Sequence, residues 1–149
     1  MRVLAMAIIV GLCLATGYSC GTPKPPVGRW EGTYETSGTM IAARLEIDPD
    51  GTILISAPDM LDVNATEPDE REAIRQRIAA DLAQDWAAAE PRKMSFDGTV
   101  FRKPGGVAPQ LEWDPDRKQM TMVVYFGAQP AIQVPLHAVN RFSDNPWPH

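Results

Sequence analysis

Gly28-Arg29-Trp30-Glu31-Gly32-Thr33-Tyr34-Glu35 puts Trp30, Gly32 and Tyr34 on one side of an extended chain and Arg29, Glu31, Thr33 and Glu35 on the other. Successive side chains of a strand point to opposite faces, so this period of two marks a strand with one face buried. The pattern returns at once, with Ile41, Ala43, Leu45 and Ile47 set against Arg44 and Glu46. Asp48-Pro49-Asp50-Gly51 then reverses the chain, Pro49 being preset for the first central turn position and Gly51 free to take a positive φ. Ile53 and Ile55 begin the return strand.

The second half repeats the style. Met94 and Phe96 precede an Asp97-Gly98 turn, Val100 and Phe101 follow it, and Leu111 and Trp113 form a strand ended by Asp114-Pro115-Asp116. Met120, Met122, Val124 and Phe126 alternate cleanly, as do Ile132, Val134 and Leu136. About seven short strands joined by tight turns predict a mainly β (α+β) fold, an antiparallel meander or a small partly open barrel. One amphipathic helix is expected over 68–89, inserted after the third strand, with Thr66 or Glu67 at its start and Pro68 in the first turn, where proline costs no hydrogen bond. Ile74, Ile78, Leu82 and Trp86 recur every fourth residue, a slowly winding stripe opposite Arg71, Arg75 and Asp85. The helix should therefore lie on the sheet or over an open end of it.

Ahead of this β module, placed at 28–142, residues 1–19 read as a signal peptide. Arg2 opens it, an apolar run fills 3–14, and Ala15, Thr16, Gly17 and Ser19 close it. That run is too short for a helix spanning hydrocarbon, which needs about 20 residues. Cys13 leaves with the leader, so the mature chain keeps Cys20 alone and can form neither an internal disulfide nor a thiolate metal set. Residues 20–27 hold Cys20 and a spacer whose Pro23, Pro25 and Pro26 favour an extended, semi-rigid chain. Residues 143–149, with Pro146 and Pro148 around Trp147, read as an irregular tail.

Gly17-Tyr18-Ser19-Cys20 resembles the lipobox of bacterial lipoproteins, with Gly17 in place of the usual leucine and Tyr18 in place of a small residue. The resemblance implies acylation of Cys20, a membrane anchor in the cell envelope, and, because Gly21 rather than an acidic residue follows, an outer-membrane address facing the periplasm. Cutting after Gly17 is the alternative and gives a soluble periplasmic or secreted protein.

The formal net charge is −5, and loss of Arg2 with the leader makes it −6. Lysine and arginine are scattered, which argues against nucleic acid and against electrostatic docking on anionic lipid. Chemistry is sparse as well. His137 and His149 are the only histidines, too few for a metal triad or a base and nucleophile pair. Ser37, Ser56, Ser95 and Ser143 lie in no nucleophile elbow. Asp48, Asp50, Asp59 and Asp62 fall short of calcium-loop spacing, and Pro104-Gly105-Gly106 is not a phosphate loop. No cofactor, metal or catalytic residue is expected.

Val27-Gly28-Arg29-Trp30-Glu31-Gly32-Thr33-Tyr34 resembles the Gly-x-Trp opening of lipocalin-like (calycin) barrels, and the closing 134–141 run looks like the end of secreted bacterial lipocalin-like modules. The resemblance implies that Trp30 plugs the closed end of a barrel, that Arg141 packs across it, and that the module binds without catalysis. The expected function is that of an envelope lipoprotein binding a small apolar ligand or an envelope protein partner. Trp30, Tyr34, Trp86 and Met122 are the expected apolar lining. A structural or accessory role in envelope assembly is the other reading.

Overall fold

The computed structural model describes residues 21–148. The signal peptide expected over 1–19, the acylation expected at Cys20 and the terminal His149 lie outside the described residues.

The opening alternation becomes a long hairpin. β1 (Gly28–Glu35) pairs antiparallel with β2 (Thr39–Ile47) from Gly28 opposite Ile47 to Glu35 opposite Met40. The Thr36 hydroxyl closes their turn by accepting from the amides of Gly38 and Thr39. The other side of β2 is covered in two pieces, β3 (Thr52–Ser56) along Arg44 to Ile47 and β4 (Asp59–Leu61) along Thr39 to Ile41. Between them the Pro58 carbonyl accepts from Ala42 N–H at 3.2 Å, which keeps the broken ladder hydrogen-bonded. The expected third strand is thus present in two halves, and the helix α1 (Pro68–Ala87) follows the fourth segment. Glu67 occupies its N-cap position in extended backbone but makes no side-chain cap, so Pro68 and the first-turn acids Asp69 and Glu70 mark its start.

After α1 come β5 (Arg92–Lys93), β6 (Ser95–Phe96), β7 (Val100–Arg102), β8 (Pro109–Asp114), β9 (Gln119–Val124) and β10 (Ile132–Val139). The order across the sheet is β5-β3-β2-β1-β10-β9-β8-β7-β6, with β4 beside β2. Its two edges, β5 and β6, are separated in the chain by Met94 alone, so one bent run holds both and the antiparallel sheet is a nearly closed barrel. Ten segments replace the expected count of about seven, because interruptions too short to leave a mark in the pattern split two of the runs.

Gly32 is required where β10 crosses β1. A methyl group there would strike the Pro135 carbonyl, and the β1–β10 ladder runs only from Arg29–Val139 to Glu31–His137, just short of that crossing. Inside the barrel Trp30, Ile41, Leu45, Ile47, Ile53, Phe101, Leu111, Met120 and Val134 form one packed core. On the outer face of β2, Met40 and Ala42 meet Ile78, Leu82 and Val63 in a second core beneath α1.

The tail belongs to that second core. Trp147 is 3% exposed, its indole N–H donates to the Arg75 carbonyl at 3.1 Å, and it packs with Met40, Ile78 and Leu82. The backbone of 143–148 is irregular, yet the segment is docked, because a lone tryptophan carries enough apolar surface to anchor a strap without any periodic partner.

Candidate functional site

The antiparallel pairings sort the connections onto two ends. At one lie the turns 48–51, 97–99 and 115–118, together with the entry of the spacer into β1. Each turn is tied by an aspartate: Asp50 accepts from Thr52 N–H at 2.8 Å, Asp97 from Thr99 and Val100, and Asp114 from Asp116 and Arg117. These bonds hold Asp50 down at about 2, the backbone bond from Thr52 contributing most, and put Asp97 far below its ordinary value, chiefly through Arg102. Trp30 sits in this half of the barrel, 5% exposed and edge-on to Trp113 at 5.4 Å. Pro23 of the spacer lies against Gly98.

At the opposite end lie the connections 36–38, 103–108 and 125–131. There the inward-facing residues Tyr34, Val124, Phe126 and Ile132 pack against the core yet stay half-buried, with Ile132 directly opposite Val124. Val107, 88% exposed, and Tyr125, 44% exposed, stand on the surrounding loops. This end presents a rim of half-buried apolar side chains over a filled barrel. Beside it, Glu35 receives Arg71 at 2.7 Å and Arg75 at 2.8 Å, which bolts α1 to the β1–β2 turn. The Arg75 hydrogen bond is the largest influence lowering the Glu35 carboxyl below its usual range.

The four residues expected to line a ligand site separate. Trp30, Tyr34 and Met122 share the barrel interior, Trp30 and Met122 buried and Tyr34 half-buried at the apolar rim. Trp86 lies outside, edge-on to Phe142 at 4.7 Å. α1 packs on the outer face of β2, where Ile78 and Leu82 meet Met40 and Ala42, so none of its side chains enters the barrel interior. None of the four borders any of the five principal surface depressions among the described residues. Arg141 is exposed, and the guanidinium groups that face an aromatic ring are those of Arg29 and Arg44, both over Phe142. His137 lies exposed on the outer face opposite Glu31.

Among the described residues no cluster of histidine, cysteine and carboxylates is arranged to hold a metal, and no helix is long and apolar enough to cross a membrane. No family model, curated protein or solved structure matches the chain.

Sequence reasoning missed a buried polar lock on the outer wall. Glu31 and Arg44 face each other across β1 and β2, both under 7% exposed, with Arg44 Nε 3.9 Å from Glu31 Oε2. Ser143 joins them: its hydroxyl and amide donate to Glu31 at 2.7 and 3.1 Å, and its carbonyl accepts from Arg44. Two charges adjacent on the polar face of a hairpin look like ordinary surface; only the tail folding over them makes them interior.

Proposed function

We propose that this is an envelope lipoprotein, anchored through Cys20, whose barrel is a non-catalytic module binding a small apolar group in the cup formed by Tyr34, Val124, Phe126 and Ile132. The observation that carries the reading is the apolar lining of this end of the barrel. Inward apolar residues are buried through the middle of the barrel and half-exposed at this end, where Val107 and Tyr125 add exposed apolar surface. The filled interior favours a ligand that rests in the mouth over one engulfed by a deep cavity. Met122 serves as floor, Trp30 lies in the opposite half of the barrel, and Trp86 has no part in it.

The tether supports the same reading. The spacer enters β1 at the end opposite the cup, so an anchor at Cys20 turns the cup away from the bilayer that holds it. The described titratable groups with displaced equilibria, Glu35, Asp50, Asp97 and Arg75, are each accounted for by an ion pair or a turn.

Two measurements test the proposal. Intact mass of the N-terminal peptide should carry acyl groups on Cys20 and lose them, with release of the protein, in Cys20→Ala. Titration of the released form with a lipophilic fluorophore should report a site that a long-chain fatty acid competes for and that Phe126→Asp weakens at least tenfold, about 1.4 kcal/mol. Binding unchanged by Phe126→Asp sinks the cup as the site.

A further inference from the structure

The wall of the barrel has a slot between β3 and the segment that joins α1 to β5. The β3–β5 ladder pairs Thr52 with Lys93 and Ile53 with Arg92 and then stops. The next position on the β5 side is Pro91, which has no N–H to continue it. Leu54, Ile55 and Ser56 are consequently bonded to β2 on one edge and have no strand partner on the other among the described residues. The depression that follows holds about 420 Å³ and is lined by Ile55, Ser56 and Ala57 on one wall and Asp85, Ala88, Ala89, Glu90 and Arg92 on the other.

Three further features point to an occupant. Ser56 is 5% exposed, and its buried hydroxyl has no hydrogen-bond partner among the described residues, so this wall carries an unspent polar group. Ala88 and Ala89 leave the far wall low. The slot opens at the C-terminus of α1, whose last turn contains no basic residue to offset the partial negative charge of its carbonyls, and Asp85 and Glu90 add two carboxylates there against the single guanidinium of Arg92.

We propose that this slot binds an extended peptide segment that adds a strand to the free edge of β3 and places a basic side chain at the end of α1. Main-chain bonds to Leu54–Ser56 supply the affinity of strand addition, and the acidic end supplies the selectivity. The proposal shares no residue with the cup and stands whether or not the cup binds anything.

The test pans the full chain against a displayed pool of short random peptides and repeats the selection on an Asp85→Lys, Glu90→Lys double variant. Both substitutions are on exposed positions, and circular dichroism checks that the variant is folded. Expected is enrichment of sequences with alternating apolar residues and a lysine or arginine. The best of them, made synthetically, should shift the amide resonances of Leu54, Ile55 and Ser56 and bind the double variant at least about tenfold more weakly at low salt. No enrichment, enrichment without a basic residue, or resonance shifts confined to other strands overturns the proposal.

Discussion

Replacing Trp147 with alanine should remove the anchor of the tail. The side chain is 3% exposed and packs with Met40, Ala42, Val63, Ile78 and Leu82. A buried indole withdraws roughly 150–250 Å² from water, which at about 25 cal/mol per Å² is about 4–6 kcal/mol as an upper bound. Large-to-alanine changes of core aromatics measure about 3–5 kcal/mol, so about 4 kcal/mol is expected. At about 3–5 °C per kcal/mol for a domain of this size, Tm should fall by about 12–20 °C. Trp147→Phe keeps most of the packing and loses the bond to the Arg75 carbonyl, so it should cost about 1 kcal/mol. Urea and thermal unfolding of both variants, followed by far-ultraviolet circular dichroism, give the two numbers. A loss below about 1 kcal/mol for Trp147→Ala, the value for a solvent-exposed tail residue, would falsify the docking argument.

Gly32→Ala should destabilise by about 1–3 kcal/mol or more by driving a methyl into the Pro135 carbonyl, visible as a lower urea midpoint at unchanged m. Glu31→Ala should cost about 3–5 kcal/mol because it strands Arg44 in a buried site, whereas Glu31→Leu combined with Arg44→Met should recover most of that; a double variant no more stable than the single one refutes the pairing. Glu35 titrates below its ordinary value in the folded chain, so its contribution is complete above the unfolded value of 4.5 and disappears as pH falls through the lower folded one. Stability should therefore drop on acidification below about pH 4.5 by an amount on the order of 1 kcal/mol, and Glu35→Gln should flatten that slope.

Much of the barrel was legible because its evidence is local. Alternation at Trp30, Gly32 and Tyr34, at Ile41 to Ile47 and at Met120 to Phe126 assigned inward faces that the pairings bear out. The Asp-Pro-Asp turns fell where the strands reverse. What the sequence hid was non-local or too short for a period. β4 and β5 hold three and two residues, and no alternation can be read from so few. The positions of Trp86 and Trp147 depend on what lies across from them, the outer wall of β2 under the helix in one case and a folded-back tail in the other. The same holds for the cup: Tyr34, Val124, Phe126 and Ile132 look like ordinary core in sequence, and only the placement of the strand ends leaves them half uncovered. The slot beside Ser56 follows from the missing donor of Pro91 on a neighbouring segment, a juxtaposition that no periodicity signals.

β1 has the last strand of the barrel as its second neighbour, and its Glu31 is clasped by a residue 112 positions away. Until 132–139 is in place, β1 and β9 each present an open edge. Any chain whose β10 has yet to dock is thus a molecule with two open edges, prone to complete itself by exchanging β10 with a second copy. A chain whose closure waits for such distant partners also folds slowly for its size. The pairing that seals the monomer is the one through which two unfinished copies would become entangled.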